Sequence, residues 1–363
     1  MKFTISWLKE HLETAASDEE IVAKLTSLGL EVEEYSDTSK AFSDFVVGQV
    51  LEEGKHPNAD KLKVCKVDIG TAKVDVVCGA PNVEKGMKVV YAPPGSTIPV
   101  NQTKLKAAKI RGVESSGMMC SEYELGISDN HEGIIRLEDG TKIGQSYSEI
   151  AGLDDAVIEI GITPNRQDCL GVLGIARDLA ASGLGKLKIR KNNSQKGSIK
   201  SPINIETKDT DLCPVFAGRY FKGVKNVQSP DWLQQKLKAV GLRPISALVD
   251  ITNFVMLDLN RPLHAYDADK IDGKIIVRKS NKGESFNALD EKSYDLKEGM
   301  CAITDEKKVL GLGGIMGGES SGCNESTDNV LLESALFNPI NIAKSGRNLS
   351  ILSDARYRFE RGV

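Results

Sequence analysis

The chain has 363 residues, of which 40% are hydrophobic and 27% are charged, and its formal net charge is −4. This length is enough for two or three domains, and the composition is that of an ordinary globular protein. We expect neither a membrane span nor a signal peptide, because no apolar run approaches roughly 20 residues and the N-terminal segment is charged from its start.

The cysteines form no pattern that binds metal or builds disulfides. The seven are Cys65, Cys78, Cys120, Cys169, Cys213, Cys301 and Cys323. None belongs to a C-x-x-C pair, the spacing that zinc sites and redox motifs commonly use. We therefore expect no metal site in this chain and a reducing, cytoplasmic environment.

Residues 1–37 predict a strand, two helices and a second strand. The segment SDEEIVAKLTSLG carries the clearest helix signal, because Ser17 and Glu20 can form a capping box and Gly29 can end the helix. An apolar residue recurs at helical spacing between them. This segment has the features of a scaffold and offers no reactive group.

Residues 40–150 predict a small β-barrel or sandwich. Four short runs, DFVVGQVLE, KLKVCKVDI, KVDVVCG and MKVVYAP, alternate with Gly, Pro and Asn. Lys61, Lys63 and Lys66 lie on the second run, where they could meet phosphates of single-stranded or looped RNA.

The charge of this β-rich segment is uneven. Residues 55–111 hold eleven Lys or Arg and four Asp or Glu, whereas residues 112–150 hold two and eight. A polyanion-binding face and a well-solvated surface are both consistent with such a basic block. Charge alone leaves the two interpretations open.

The rest of the chain predicts mixed helices and strands. Residues 168–183 show helical periodicity and end in glycine, and the basic segment 186–202 has the composition of an exposed linker. The segment SPDWLQQKLKAVG predicts a helix with Ser229 as its cap and Gly241 at its end. VDITNFVMLDL, GKIIVRKS and KSYDL predict strands or short buried elements, and we expect the natural chain to continue beyond Val363.

A glycine-rich stretch, GLGGIMGGESSG, occupies residues 311–322. Glycine-rich loops often hold phosphates, because backbone N–H groups can approach an anion closely there. No Lys-Ser/Thr pair follows the last glycine, and neither phosphate-loop pattern fits. We therefore do not expect an ATP-dependent enzyme acting alone, and the glycines indicate a close backbone approach of another kind.

Longer motifs resemble a known family. HPNADKLKVCKVDIG (56–70), VCGAPNV (77–83) and AAKIRGVESSGMMCSEYELGI (107–127) resemble the tRNA-binding OB-fold domain of several synthetases. PNRQDCLGVLGIARDLA, VDITNFVMLDLNRPLHAYDADKI, GGIMGGESSGCNESTDNVLLESALFNP and SDARYRFERGV follow in the order found in bacterial phenylalanyl-tRNA synthetase beta subunits. The resemblance extends over the whole chain, which is similar to the N-terminal portion of that longer family chain.

This resemblance implies an α+β multidomain architecture. A small α/β scaffold domain is expected from residues 1–39 and 151–199, with an OB-fold β-barrel inserted at 40–150 and a mixed α/β editing module at 200–363. The family implies a heterotetramer of two alpha and two beta subunits that binds tRNA(Phe). ATP and Mg²⁺ serve the complete enzyme, through the alpha subunit or later domains, and no cofactor is expected in this portion.

The family's editing site hydrolyses tyrosine wrongly attached to tRNA(Phe). A hydrophobic pocket rejects one added hydroxyl only weakly, by about 10²-fold in the valine and threonine case. A second site that hydrogen-bonds this hydroxyl can make the opposite selection, because phenylalanine would leave buried polar groups unpaired.

The resemblance assigns this editing chemistry to five residues. His264 and Ser353 are the catalytic candidates, which position the ester or a water, and Ser353 stands where the family usually has threonine. Glu333 is the acceptor for the tyrosine hydroxyl, and Gly317 and Ala355 line the pocket. Without the family context, His264 would be a structural histidine and Glu333 a carboxylate facing water.

Other residues carry weaker expectations. Arg243 and Asn253 are expected to be structural, and Arg166 to organise the junction with the catalytic subunit. Asp267 either orients His264 or caps a turn. An RNA-binding protein with an idle structural module remains the alternative to an editing enzyme.

Overall fold

The computed structural model describes residues 1–37, 39–130, 132–153, 155–189 and 194–363. The chain separates into two compact units. The larger unit comprises Met1–Tyr35 and Val157–Val363, and the inserted unit comprises Ser36–Ala156. The three-domain division stays a prediction, and residues 190–193 of the predicted linker lie outside the described residues.

The elements follow in chain order. Among the described residues the α-helices are α1 (Ile5–His11), α2 (Asp18–Ser27), α3 (Ser39–Phe42), α4 (Tyr147–Ala151), α5 (Val172–Ala181), α6 (Asp231–Ala239), α7 (Ala247–Leu259), α8 (Pro339–Leu349) and α9 (Asp354–Phe359). Short 3-10 helices cover Pro164–Cys169, Ala268–Lys270 and Glu319–Ser321. The strands up to residue 119 are β1 (Lys2–Thr4), β2 (Leu12–Glu13), β3 (Val32–Ser36), β4 (Val46–His56), β5 (Ala59–Asp68), β6 (Lys73–Cys78), β7 (Lys88–Ala92), β8 (Thr97–Ile98), β9 (Thr103–Lys104), β10 (Ala108–Ile110), β11 (Val113–Ser115) and β12 (Met118–Met119). The later strands are β13 (Arg136–Leu137), β14 (Val157–Ile160), β15 (Lys186–Leu187), β16 (Ile205–Thr207), β17 (Val215–Lys222), β18 (His264–Asp267), β19 (Ile275–Lys279), β20 (Ser285–Asn287), β21 (Ser293–Asp295), β22 (Cys301–Thr304), β23 (Val309–Leu312), β24 (Met316–Gly317) and β25 (Asn329–Leu336).

The N-terminal scaffold follows its local signals. Ser17 and Glu20 form the predicted capping box at the start of α2, and Gly29 adopts a left-handed φ of 80° just beyond its end. Strands β1, β14 and β3 form a three-stranded sheet. The predicted elements of this segment are confirmed, with the short β2 as an addition that pairs with β15.

The inserted unit contains an open antiparallel sheet, not a closed barrel. Its strand order is β12-β7-β4-β5-β6, with β13 also paired to β7. Between the edge strands β6 and β12, one backbone hydrogen bond runs from the Ser116 N–H to the Asp75 carbonyl. The neighbouring segment pairs with itself instead, because Arg111 and Gly112 both have positive φ and turn β10 back onto β11. The expected barrel closure is therefore wrong for the described residues.

Two sheets of the larger unit share one hydrophobic core. The first has the order β16-β19-β22-β23-β24, and the second has β25 between β17 and β18. Buried side chains from both sheets, including Val277, Ile303, Tyr266 and Leu331, pack with Phe359 of α9 in a single cluster. This arrangement brings β18, β24 and β25 to the same place.

The segment VDITNFVMLDL, predicted as a strand or a short buried element, is helical, so the strand alternative is wrong. It lies in α7, whose buried side carries Asp250 and Asp258 as well as apolar residues. Asp258 accepts a hydrogen bond of 2.8 Å from Trp7 Nε1, and its Oδ1 lies 2.5 Å from His11 Nε2. The buried side of this helix therefore mixes acidic and apolar side chains, whereas Ile251 is exposed.

The predicted cap of α6 is also wrong. Pro230 is the N-cap residue and provides no side-chain hydrogen bond. The Ser229 hydroxyl donates instead to the Asp250 carboxylate of α7. Gly241 does follow the helix with a φ of 84°.

The described helices include none with the length and apolar content of a bilayer span.

Candidate functional site

Strands β18 and β25 bring two predicted site residues together. The strands are antiparallel, and His264 is the register partner of Glu333. Tyr266 lies two residues further along β18 and therefore on the same face as His264. Its ring packs edge-to-face against the His264 ring, with 4.3 Å between centroids.

These residues line a cavity of about 80 Å³. Its wall also includes Ala355, Gly317 and residues 311–316, which directly precede Gly317. Four of the five predicted pocket residues, His264, Gly317, Glu333 and Ala355, thus line one cavity. Most of the other lining residues are apolar or glycine, so polar side chains in the cavity are few.

Glu333 is the buried acid of this cavity, with 6% of its surface exposed. Its Oε2 accepts a hydrogen bond of 2.5 Å from the Tyr266 hydroxyl. Among the described residues no second hydrogen bond to this carboxyl is found. Burial raises the pKa of Glu333 from 4.5 to about 7, and the Tyr266 hydrogen bond partly offsets this rise.

His264 offers a neutral imidazole. Its Nε2 is buried and has no hydrogen-bond partner within the described part of the chain. Burial lowers the pKa of His264 from 6.5 to about 4, because the charged ring would lose its hydration. At neutral pH the ring is therefore uncharged and can accept a hydrogen bond from a water and orient it.

Gly317 makes room for the His264 ring. A Cβ at this position would lie 2.9 Å from Nε2 and closer still to Cε1. Gly317 therefore does more than line the pocket: the space beside the imidazole admits no side chain, and even alanine would displace the ring.

The other glycines of this stretch meet the core. A Cβ on Gly313 or Gly314 would lie within 3 Å of the Phe337 ring, and Gly314 also has a left-handed φ of 68°. Gly318 approaches the Leu310 carbonyl so closely that a Cβ would lie 3.0 Å from its carbon. The composition of the stretch thus reflects a tight β23–β24 hairpin packed against aromatic side chains.

Ser353 does not line the cavity. It is the N-cap residue of α9 and accepts a hydrogen bond from the Arg356 N–H. Its hydroxyl donates to the Ile315 carbonyl at 2.7 Å. The structure therefore gives Ser353 the task of holding the glycine hairpin beside the pocket, and a catalytic role stays a prediction.

Asp267 has contacts of a turn-forming residue. It caps the short helix that follows β18, and its Oδ2 accepts a hydrogen bond of 2.8 Å from the Thr327 hydroxyl. It lies on the opposite face of β18 from His264 because of the alternation of the strand. Neither Arg243 nor Asn253 lines the cavity.

Arg166 lies beside three residues that form the one group of potential metal ligands found within the described residues. Ligand atoms of Asp168, Cys169 and Asp178 converge there. The Arg166 guanidinium donates hydrogen bonds to the carboxylates of Asp168 and Asp178. Both bonds raise the pKa of Arg166, and the bond with Asp168 has the larger effect. Because a fixed cation already neutralises these acids, the group does not fit Mg²⁺, which needs oxygen ligands in octahedral geometry.

The three predicted tRNA-binding lysines do not share a face of β5. Lys61 and Lys63 alternate with Lys66, which is exposed on the opposite face. Lys63 donates to Glu53 at 2.5 Å and to the Val83 carbonyl at 2.7 Å, and the Glu53 contact raises its pKa. Lys61 and Lys66 are the exposed members of the set.

Sequence reasoning missed Tyr266. Its signal was its position two residues after His264 in HAYD, which places both side chains on one face of any strand. Its hydrogen bond to a residue 67 positions away has no local signature.

Replacing Glu333 with Gln is expected to make stability less sensitive to pH. The folded-state pKa is raised, so the wild-type native state binds more protons than the unfolded state between pH 4.5 and 7 and loses stability as pH rises through that window. At roughly 1.4 kcal/mol per pKa unit, this contribution is about 3 kcal/mol. Glu333→Gln should gain that stability relative to wild type between pH 5 and pH 8.

Urea unfolding followed by tryptophan fluorescence measures this effect. Both tryptophans, Trp7 and Trp232, lie in the same unit as Glu333. The exposed Glu319→Gln serves as the matched control and should follow wild type. Parallel stability curves for Glu333→Gln and wild type would contradict the burial cost of this carboxyl.

Family models match both parts of the chain. A putative tRNA binding domain matches residues 45–146, and a B3/4 domain matches residues 212–363. The first range belongs to the inserted unit, and the second contains the whole cavity described above.

Curated relatives match over the entire chain. The phenylalanine–tRNA ligase beta subunit of Rhodopseudomonas palustris is 53% identical over 365 residues, which cover 100% of this chain and 46% of the relative. Those of Mesorhizobium japonicum and Paramagnetospirillum magneticum are each 54% identical, and the match covers 100% of this chain and 45% and 46% of them. The chain spans slightly less than half the length of these relatives, and it belongs to the phenylalanine–tRNA ligase beta subunit family.

Proposed function

We propose that the cavity between β18, β24 and β25 hydrolyses the ester of tyrosine wrongly attached to tRNA(Phe). The observation that carries this proposal is the Glu333 carboxyl, which is buried in a cavity with few polar side chains and accepts one hydrogen bond within the described part of the chain. A carboxylate has two oxygens that accept hydrogen bonds. Glu333 Oε1 can therefore receive the hydroxyl of a tyrosyl group.

This arrangement selects tyrosine over phenylalanine. The tyrosyl hydroxyl donates to Glu333, whereas phenylalanine would bury the carboxyl with one acceptor unsatisfied. An unsatisfied buried polar group costs about 1–3 kcal/mol, and more when it is charged. The site thereby rejects the correct amino acid and accepts the wrong one.

His264 supplies the reactive side of the cavity. Its neutral ring has an unpartnered Nε2 and lies across the strand pair from Glu333. We propose that it orients the attacking water beside the ester carbonyl. The water oxygen adds to that carbonyl, and the bond between the carbonyl carbon and the ribose oxygen then breaks. The ribose oxygen takes up a proton lost by the water, which releases free tyrosine and the tRNA hydroxyl.

The remaining functions belong to the complete assembly. We propose that the chain acts within a phenylalanine–tRNA ligase in the cytoplasm, where an alpha subunit charges tRNA(Phe) with phenylalanine using ATP and Mg²⁺. The inserted unit would contribute OB-type tRNA contacts, with Lys61 and Lys66 as its exposed basic groups on β5. Basic side chains on such a surface neutralise phosphates without reading sequence.

We expect this chain to release tyrosine from Tyr-tRNA(Phe) faster than phenylalanine from Phe-tRNA(Phe). The physical reason is the acceptor at Glu333, and the measurement is the loss of labelled amino acid from each tRNA at equal concentrations. The chain alone should show no phenylalanine-dependent exchange of pyrophosphate into ATP.

Two results would contradict this division of functions. Equal release from the two tRNAs, at the rate of spontaneous hydrolysis, would favour an RNA-binding protein with an idle module. Pyrophosphate exchange by the purified chain would place amino-acid activation here.

A further inference from the structure

Tyr266 contacts both polar groups of the cavity. It is buried, its hydroxyl donates to Glu333 Oε2 at 2.5 Å, and its ring packs against the His264 ring at an interplanar angle of 81°. One side chain therefore supports the residue that would select the amino acid and the residue that would orient the water.

The other groups around Glu333 do not hold its carboxyl in place, so the hydrogen bond from Tyr266 is its fixed contact. His264 lies opposite on β18 and is neutral at physiological pH. The thiols of Cys213 and Cys301 are close enough to interact with the carboxyl electrostatically, and burial raises the pKa of both, so they remain uncharged. In the described ranges, the Tyr266 hydroxyl is the group that hydrogen-bonds the carboxyl and sets its orientation.

We propose that Tyr266 is a specificity-determining positioning residue, whose hydroxyl occupies Glu333 Oε2 and presents Oε1 to the hydroxyl of a tyrosyl substrate. This inference rests on the proposed function. A carboxyl group turns readily about its terminal torsion, which is broad and roughly two-fold. A donor fixed on one oxygen removes that freedom, so the second oxygen is already oriented when the substrate enters.

The arrangement also explains why the carboxyl remains selective. Tyr266 satisfies one oxygen and cannot satisfy the other from the same position. Phenylalanine therefore still leaves an unpaired acceptor, whereas a tyrosyl hydroxyl completes the set. The protein's phenol and the substrate's phenol would donate to the two oxygens of one carboxylate.

The experiment compares Tyr266→Phe with Tyr294→Phe. Tyr294 is a matched control, because its hydroxyl also donates to a carboxylate, Asp290 Oδ2, at 2.7 Å, and it lies outside the cavity wall. Single-turnover hydrolysis of Tyr-tRNA(Phe) and Phe-tRNA(Phe) by the full chain is measured from pH 5.5 to 8.5. We expect Tyr266→Phe to lower the Tyr/Phe rate ratio by about threefold to tenfold, the order of the net contribution of one hydrogen bond, and Tyr294→Phe to leave it unchanged.

The pH profile separates positioning from packing. The Tyr266 hydrogen bond lowers the pKa of Glu333, so its removal should move the acidic limb of Tyr-tRNA(Phe) hydrolysis to higher pH. Incorporation of 3-fluorotyrosine at position 266 keeps the ring and strengthens the donor, and the limb should then move to lower pH. This second variant keeps the test valid if Tyr266→Phe does not fold.

The outcomes distinguish this inference from the function on which it rests. A wild-type chain without preference for Tyr-tRNA(Phe) would overturn the proposed function. A wild-type chain that prefers Tyr-tRNA(Phe), with the same ratio in Tyr266→Phe and the same acidic limb in the phenylalanine and fluorotyrosine variants, would overturn the role of Tyr266 alone.

Discussion

Replacing Glu333 with alanine is expected to lower the preference for Tyr-tRNA(Phe) over Phe-tRNA(Phe) by about ten- to hundredfold, which corresponds to about 1.4–2.8 kcal/mol. The tyrosyl hydroxyl would lose its acceptor, and phenylalanine would no longer leave a buried carboxyl unpaired. Both changes lower the ratio of the Tyr-tRNA(Phe) hydrolysis rate to the Phe-tRNA(Phe) hydrolysis rate. This effect should exceed that of Tyr266→Phe, because the alanine variant removes the acceptor itself rather than its orientation.

Glu333→Gln refines this prediction. The amide keeps the size of the side chain and one carbonyl oxygen, but it carries no charge at any pH. We expect an intermediate ratio and loss of the acidic limb of the pH profile. Single-turnover rates with both tRNAs provide the measurement, and an unaltered Tyr/Phe ratio in Glu333→Ala would show that the hydroxyl is recognised elsewhere.

Substitution of Gly317 should have the second large effect. An added Cβ would overlap the His264 ring, so even Gly317→Ala must displace the imidazole. A displacement of about 1 Å of a catalytic group can cost about 10²-fold in rate. We expect at least that loss in Tyr-tRNA(Phe) hydrolysis, and Gly317→Trp should also close the cavity to tyrosine.

A control variant, together with a measurement of the stability of each variant, separates loss of hydrolysis from loss of folding. Gly197→Ala is the matched control, because Gly197 lies in the same unit in an exposed segment and a Cβ there meets only the Ile199 carbonyl at 3.7 Å. It should retain wild-type hydrolysis. If Gly317→Ala folds and also hydrolyses at the wild-type rate, then the observed position of His264 is not needed for the reaction.

Local sequence patterns determined several elements of this protein. The capping box of Ser17 and Glu20, the strands β4 to β7 and the glycine after α6 all depend on residues a few positions apart. The family resemblance also indicated four residues that line one cavity. For the helix ends and strands, hydrogen bonding and side-chain alternation over short distances carry the information, so a sequence displays it directly.

Long-range contacts decided what these patterns could not. Helix α7 buries Asp258 beside Trp7 and His11, about 250 residues earlier, which hydrogen-bond its carboxylate. In the described residues the inserted sheet is open, and β10 and β11 pair with each other across the turn at Arg111.

The pocket shows the same division between sequence and tertiary structure. The motif PLHAYD predicts a histidine at the site, but only the pairing of β18 with β25 places Tyr266 on Glu333. The glycine-rich stretch predicts a close approach, but only the fold identifies the His264 ring as the group approached. A buried carboxyl with one fixed donor depends on several chain segments at once, and its chemistry therefore arises from the tertiary structure.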